Sequence, residues 1–495
     1  MLINFFTVFK KSWILLAIIL IGGFIVRQYR IDNAIADWHS WRQADTASVA
    51  RNFYQEGFNP FLPKGDDMSP ISENGQPNLG RYRFVEFPIY NTLVYVGYIL
   101  NGGVNVRIAR EVTVFISLIS VIFIYLITRR SFNEVTAVLA AAFFAFLPYN
   151  IYYSRVVLPD PLLIMFSLGM FYFIDRFINE KTRKFMILSI IFAAGAFLTK
   201  PEAAFYLLPL LVLFYKKEGK LFPIDRRYII MAVLAVLPFA AWRIWMLQHP
   251  EGIPAADWLL NGNGIRFRPA FWRWILVDRF GREILTVTGT VLFFIGLLIA
   301  PREKENNMLH LLAIASFLYL IVFATGNVQH DYYQIFIVPA IVIFLARGVV
   351  LMFEGVRSLV PRIFTIPFAI LFISLTFYLG WPEAKGLFQI NNDAVTRAGD
   401  AANAILPKNA TVLAPYDGDT SLLYNTNRHG FPVTITNIPD MISRFGVGYY
   451  VSITKDPDTA KIMHDYTVME NNQYFVIVDL TKPASASQSA DLKGS

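Results

Sequence analysis

Asp37-Trp38-His39-Ser40-Trp41-Arg42-Gln43-Ala44-Asp45-Thr46-Ala47-Ser48-Val49-Ala50-Arg51-Asn52-Phe53-Tyr54 follows the first long apolar run of the chain. It is dense in carboxylate, guanidinium, imidazole and indole groups, at a place where a membrane protein ordinarily leaves a plain loop. That contrast organises the rest of the sequence. Apolar runs need a bilayer, and polar segments gather on one face of it. Asp45 is expected in an active site at the outer membrane surface, held there by a bundle of helices.

Composition agrees with a bilayer. Of the 495 residues, 55% are hydrophobic and only 16% are charged, where soluble domains carry roughly 25% charged residues. Long uncharged runs recur over most of the chain, so the fold class is an α-helical polytopic membrane protein. The net charge of +8 does not signal nucleic acid, because the positive charges fall between apolar runs, where membrane topology puts them. The absence of cysteine excludes a disulfide framework and a thiolate metal site. Lys10 and Lys11 precede the first apolar run, and no small-residue cleavage site follows it. It is read as a retained helix.

A span needs about 20 apolar residues. Candidates are 12–29, 108–128, 133–150, 161–178, 185–200, 202–215, 228–247, 284–300, 308–325, 335–352 and 363–381, about eleven in all by the span-length rule. With the N-terminus inside, the inner loops carry Lys10/Lys11, Arg129/Arg130, Lys181/Arg183/Lys184, Lys216/Lys217/Lys220/Arg226/Arg227, Arg302/Lys304 and Arg357/Arg362, as the positive-inside rule requires. The agreement holds only if 86–100 is left out. That run is short and contains Glu86, Pro88 and Asn91, so it is expected as a helix on the outer surface. The segment 46–57 is expected as a second one, with Val49 and Phe53 on one face.

After about residue 383 the composition becomes that of a soluble domain. Helices are expected over 394–406, 420–425 and 459–464, and strands over 411–414, 449–453 and 474–480. The expected organisation is a membrane domain over 1–382, a small α/β extracytoplasmic domain over 383–483 and a disordered tail over 484–495.

The outer loops hold the candidate chemistry. Asp45, among Trp38, Trp41 and Tyr54, is read either as a general base with a raised pKa or as the N-cap of the 46–57 helix. His39, Arg42, Gln43 and Arg51 around it are more polar groups than a cap needs. Asp160 before Pro161 is the pair expected where a helix starts, and the same geometry fixes a carboxylate at the outer mouth of the bundle. The fourth outer loop carries Arg266, Arg268, Arg273, Arg279 and Arg282 on the disfavoured side of the membrane. They meet lipid headgroups or clamp a phosphate. Lys200 is a snorkelling anchor or a ligand. His330-Asp331-Tyr332-Tyr333 is an interfacial aromatic belt or orients a phosphate or sugar. Asn261-Gly262-Asn263-Gly264 is a turn, with no strand–turn–helix context for a nucleotide loop. The few scattered histidines argue against a histidine-built metal site.

Together, His39-Ser40-Trp41-Arg42-Gln43-Ala44-Asp45-Thr46, Tyr153-Ser154-Arg155-Val156-Val157-Leu158-Pro159-Asp160-Pro161 and His330-Asp331-Tyr332-Tyr333-Gln334 resemble the GT-C membrane glycosyltransferases. The specific likeness is to bacterial relatives of the protein O-mannosyltransferases and of the aminoarabinose transferases that modify lipid A. The resemblance covers about residues 1–380 and does not reach the C-terminal α/β domain. It implies a GT-C fold with outer juxtamembrane helices, a polyprenyl-phosphate-sugar donor and sugar transfer at the outer face of a bacterial inner membrane. Asp45 matches the family's first-loop acid, the base. Asp160 matches the second-loop acid, which positions acceptor or donor. The family also uses basic side chains on the donor phosphate, which no motif aligns here. His39, Arg42, Arg155, Lys200, Arg266, Arg268, His330, Asp331, Tyr332 and Tyr333 are the substrate-binding candidates. The acceptor is a glycan, a lipid or a protein. No cofactor is implied, and the residues indicate no dedicated divalent-metal site.

Two other functions share this inventory. A transporter or flippase of a lipid-linked sugar would have the same basic, aromatic outer surface. It should also carry mid-membrane charges or broken helices in paired halves, and most charges here lie at loop level. A surface-polysaccharide polymerase or ligase uses the same donor class.

Overall fold

The computed structural model describes residues 12–219, 225–301, 305, 307–355 and 360–484. Lys10, Lys11, Lys220, Arg302, Lys304, Arg357 and the tail from 485 onward lie outside the described residues. The chain divides into two compact units, each built from separated segments. The first takes residues 1–31, 110–244 and 256–387, and the second takes 32–109, 245–255 and 388–495.

The first unit is helical, and each expected apolar segment carries a helix. The longest are Val106–Ser131, Asp160–Glu180, Arg226–Met246 and Arg362–Leu387, with Ser12–Val26, Glu134–Phe146, Arg183–Thr199, Leu208–Glu218, Thr286–Leu298, Met308–Val322 and Val338–Glu354 shorter. Among the described residues, five helical stretches are long and apolar enough to cross a membrane, or six if Pro269–Ile284 and Thr286–Leu298, bent by 106°, count as one. The stretch Asp331–Glu354 is enclosed on all sides, whereas Arg226–Met246 and Arg362–Leu387 leave most of their surface bare, as lipid-facing helices do.

Small residues let the central helices touch. A Cβ on Gly348 would fall 1.9 Å from the carbonyl oxygen of Leu292, and one on Gly296 would fall 1.9 Å from that of Phe344. The helices Thr286–Leu298 and Val338–Glu354 therefore meet backbone to backbone, the usual device where lipid supplies no hydrophobic drive for association. Beside the crossing, the buried Arg347 donates to the carbonyls of Gly296 and Ile299, the latter at 2.8 Å, and pairs with Glu305 at 2.7 Å. A guanidinium thus answers the open carbonyls and negative dipole at that helix end.

The second unit is the α/β part. Its five strands are β1 (Thr411–Leu413), β2 (His429–Phe431), β3 (Tyr449–Ser452), β4 (Tyr466–Asn471) and β5 (Val476–Pro483), in the order β2-β1-β3-β5-β4. β1 runs parallel to β2 and β3, and β5 runs antiparallel to β3 and β4. Alternate residues of β5 feed opposite faces, Ile477 toward helix Asp393–Ile405 and Val476 and Val478 toward Met441 and Ile462, as the two-residue period dictates. The expected helices and strands of this part appear within a few residues of their places. β2, β4 and helix Ile438–Phe445 were not anticipated. β2 is three residues long around Gly430, whose Cβ would strike the Val412 carbonyl, and β4 is a half-exposed edge strand, so neither leaves a hydrophobic pattern.

The first long loop belongs to this unit. Ala36 packs in the core under helix Asp393–Ile405, and Met68 packs in the core on the other sheet face. Met68 donates to Gly430 at 2.7 Å, and Gly430 donates back to Asp66 at 2.9 Å. Two helices rise from the loop, Ser40–Glu56 and Ile89–Asn101. The second fulfils the expectation of a helix within 86–100. The first begins well before residue 46, so Asp45 lies inside it and is not its N-cap; that position is His39, with left-handed φ of 54° and no side-chain cap.

The crossing predicts contrasting glycine variants. Gly348→Ala forces the two helices apart and should cost about 1–3 kcal/mol, read as a lower melting temperature in detergent. Gly386→Ala, with nothing within 4 Å of the added methyl group, should be neutral or stabilising by up to about 1 kcal/mol. Equal melting temperatures for both variants would remove the crossing as a structural constraint.

Candidate active site

Helix Ser40–Glu56 is polar, yet nearly all of it is buried. Its charged groups must therefore find partners within the fold. Arg42 chelates Glu86 through both carboxylate oxygens, at 2.8 and 3.0 Å. Arg51 pairs with Asp66, donates to the Tyr424 carbonyl at 2.9 Å and lies 4.3 Å from the centre of the Tyr424 ring. Gln43 donates to Asp37 at 2.7 Å.

Asp45, 5% exposed, is held at both oxygens. Oδ2 pairs with the Arg83 guanidinium, and Oδ1 accepts from the Thr420 hydroxyl at 2.9 Å. Arg42, Asp45, Thr46, Arg83, Glu86 and Asn91 line a narrow crevice of about 10 Å³. Two more carboxyls stand near. Burial pushes Asp67 above the usual carboxylate range, against hydrogen bonds from Ser69 and the charge of Arg83, and the negative charge of Asp45 adds to the rise. Burial likewise pushes Asp419 up, against hydrogen bonds from Ser421 and Ser40, and Asp45 again adds to it. The environment of Asp45 is therefore an alternation of carboxylates around one guanidinium.

The motifs of the first unit also converge. Asp160 is the first residue of its helix, followed by Pro161; the N-cap position falls to Pro159, one residue earlier than the Asp-Pro pair suggested, and that residue has no capping side chain. Instead Oδ1 accepts from Lys200 at 2.7 Å, both side chains being largely buried. Lys200 ends helix Arg183–Thr199 and lies 5.1 Å from the centre of the Tyr333 ring. Tyr333 stacks on Tyr332 at 4.8 Å, and His330 sits 5.5 Å from Tyr332. Asp331 accepts from the Tyr153 hydroxyl at 2.6 Å and lies 3.4 Å from Arg279. The Lys200 corner, the 153–161 motif and the 330–334 motif thus form one connected cluster. Arg155, fully buried, donates to the Arg30 carbonyl at 3.2 Å and lies 5.5 Å from the Tyr152 ring.

The fourth-loop arginines divide. Arg279 and Arg282 meet carboxylates. Arg279 pairs with Glu283 at 2.7 Å on a π-helical turn, Trp274–Ile284, of the kind often found at functional sites; Arg282 pairs with Glu283 and Glu383. Arg266 donates to the carbonyls of Leu260 and Val322 at 3.0 and 2.8 Å, and Arg268 donates to that of Asn263 at 2.9 Å. Their guanidinium groups brace the loop around Asn263. His39 takes the left-handed turn before the Asp45 helix and contacts Trp38, ring centres 5.2 Å apart.

Arg83, Asp67, Asp419 and Thr420 went unread in the sequence. Arg83 did carry a signal, since Arg81 and Arg83 lie in a loop expected on the outside, where they break the positive-inside trend as the fourth-loop arginines do. Thr420 carried none. It is 375 positions from Asp45, and the turn Asp417-Gly418-Asp419 before it reads only as a turn. Among the described residues no group of three or more His, Asp or Glu is arranged to hold a metal ion.

A family model described as dolichyl-phosphate-mannose-protein mannosyltransferase matches residues 88–245. No curated protein matches the chain by sequence. Among solved structures the chain is similar to ArnT from Cupriavidus metallidurans bound to undecaprenyl phosphate. That match has 14% identity and a TM-score of 0.64, and it covers 96% of this chain and 98% of the other. The chain is also similar to the archaeal oligosaccharyltransferase AglB from Archaeoglobus fulgidus in complex with an inhibitory peptide and a dolichol-phosphate. Here identity is 13% and the TM-score 0.55, with 94% of this chain and 74% of the other covered. The chain has the GT-C membrane-protein fold that its motifs resemble, and its residues 88–245 match the mannosyltransferase family model within that fold.

Proposed function

We propose that the chain is a membrane glycosyltransferase that moves a sugar from a polyprenyl-phosphate-linked donor to an acceptor hydroxyl at the outer face of a bacterial inner (plasma) membrane. The observation that carries this reading is Asp45. It is a buried carboxylate inside a helix, its oxygens held by Arg83 and Thr420, in a fold similar to that of ArnT bound to undecaprenyl phosphate.

In this reading Asp45 takes the proton of the acceptor hydroxyl as the oxygen attacks the anomeric carbon. The bond to the donor phosphate breaks, and the centre inverts. The lipid phosphate leaves well once cations offset its charge, so no second acid has to protonate it, in contrast to glycoside hydrolysis. Asp160 positions donor or acceptor, and Lys200, with His39, Arg42, Arg155, Arg266, Arg268, His330, Asp331, Tyr332 and Tyr333, supplies substrate contacts. The acceptor is a glycan, a lipid or a protein. The eleven apolar segments are the spans, with the N-terminus inside and the α/β part over 383–483 outside.

Orientation is testable because the chain has no cysteine. Single cysteines at Asn74 and Lys455, both exposed, should react with an impermeant thiol reagent on whole cells, and those at Lys184 and Lys217 should not. Reaction at Arg130→Cys would make 86–100 a span and invert the later loops.

The base is tested by Asp45→Asn beside Asp160→Asn. Asp45→Asn should fold and bind donor yet lose transfer by about 10²–10⁴-fold, the usual size of a general-base contribution. Transfer is followed by mass spectrometry of envelope glycans and lipids from hosts with and without the gene. Near-parental turnover in Asp45→Asn ends the assignment.

A further inference from the structure

Thr420 belongs to the part of the chain that the sequence resemblance does not reach, yet its hydroxyl contacts Asp45. It stands at the N-cap position of helix Ser421–Asn425, where Thr ordinarily accepts from the backbone, and makes no such bond. Asp419 does that work instead, its Oδ1 accepting from the Ser421 amide at 2.7 Å. The Thr420 hydroxyl is turned the other way. It lies 2.9 Å from Asp45 Oδ1 and 3.0 Å from the carbonyl oxygen of Trp41, and it is buried.

A hydroxyl has one proton and two lone pairs, so it cannot make a full hydrogen bond to both oxygens at once. When Asp45 is ionised, the proton points at Oδ1 and stabilises the charge. When Asp45 is protonated, the carboxyl O–H donates to the Thr420 oxygen, and the Thr420 proton turns to the Trp41 carbonyl. Each state leaves every group satisfied. Arg83 donates to the other oxygen in both states; having no acceptor, it leaves no place for the proton on Oδ2 and directs it to Oδ1, beside Thr420.

We infer that Thr420 is a positioning residue for Asp45, a hydroxyl rotor in the C-terminal α/β part that serves the base both before and after it takes the acceptor's proton. The inference rests on Asp45 being the base. The C-terminal part then completes the catalytic carboxylate's surroundings directly. The charged and titratable groups facing Asp45 are Arg83 and Glu86 from the segment before helix Ile89–Asn101, Arg42 from its own helix, paired with Glu86, Asp67 from the turn after Lys64, and Asp419 beside Thr420 itself.

The test uses the full chain expressed in membranes of a host lacking the gene, which supply donor and acceptor together. Transfer is read as the rate at which the polyprenyl-phosphate-sugar pool disappears, across a range of external pH. Thr420→Val keeps the shape and removes the hydroxyl. The rate should fall about 10–100-fold, the size of a hydrogen bond to a charged group. The acid limb of the profile should move up, because a carboxylate that loses a donor to its charged form is protonated more readily. Thr420→Ser, which keeps the rotor, should restore both. If Thr420→Val does not give monodisperse protein, Thr420→Ala is set against Thr420→Ser, a pair differing only in the hydroxyl. A parental rate and profile without the hydroxyl, or a Ser variant as impaired as Val, overturns the inference. Full transfer by Asp45→Asn overturns the underlying reading instead, and a dead Asp45→Asn beside a normal Thr420→Val overturns only the role of Thr420.

Discussion

A carboxylate buried in the middle of a helix is costly unless something meets its charge, and the arrangement around Asp45 follows from that cost. A charge without a partner would be driven out or neutralised. Arg83 must therefore reach it from a segment 38 positions away, and Thr420 from one 375 positions away. Bringing those segments in fixes the path of the first long loop, which joins both cores of the α/β sheet through Ala36 and Met68. Buried ion pairs of this kind add little net stability. What they supply here is definition, an acid whose two oxygens are each oriented by a separate part of the chain.

The bundle meets a different constraint with the same economy. Apolar side chains gain little from one another when lipid is the alternative, so close approach has to do the holding. Gly296 and Gly348 let two backbones touch, and Arg347 serves the helix end that the contact leaves open. The enclosed helix Val338–Glu354 follows directly on the His330-Asp331-Tyr332-Tyr333 corner. Its rigidity therefore passes to the Asp160–Lys200 cluster, through Tyr333 over Lys200 and Tyr153 against Asp331.

Much of this was legible in the residues. Apolar length marked the eleven apolar helices of the bundle, because a bilayer imposes one simple requirement, and passed over the short helices between them, such as Trp258–Asn261 and Ala324–Gln329. The three motifs marked Asp45, Asp160 and the 330–334 corner, because each packs several polar groups into a short stretch between apolar runs. The partners were harder. Lys200 was singled out as a lone cation at a corner, without Asp160 as its mate. Arg83 and Thr420 stayed hidden, since a long-range contact leaves no local period or spacing. Helix Ser40–Glu56 shows the same limit in reverse. Its polar surface suggested a short surface helix from residue 46, but burial by the α/β part lets it start at Ser40. β2 and β4 were missed because a three-residue strand and an exposed edge carry almost no hydrophobic alternation.

The interleaving of the two units has a consequence for how the protein is made. Residues 32–109 emerge early, but the strands and helices they pack with begin about 280 residues later, at 388. At synthesis rates of about 5–20 residues per second, the first loop waits on the order of ten seconds to a minute for its partners. During that time Ala36, Met68 and the charged face of helix Ser40–Glu56 lack the surfaces that bury them. The same dependence holds for the finished chain, since loss of the last hundred residues would strand a polar helix and a buried acid together. Nascent chains stalled before residue 388 should therefore be the ones that quality-control proteases recognise first.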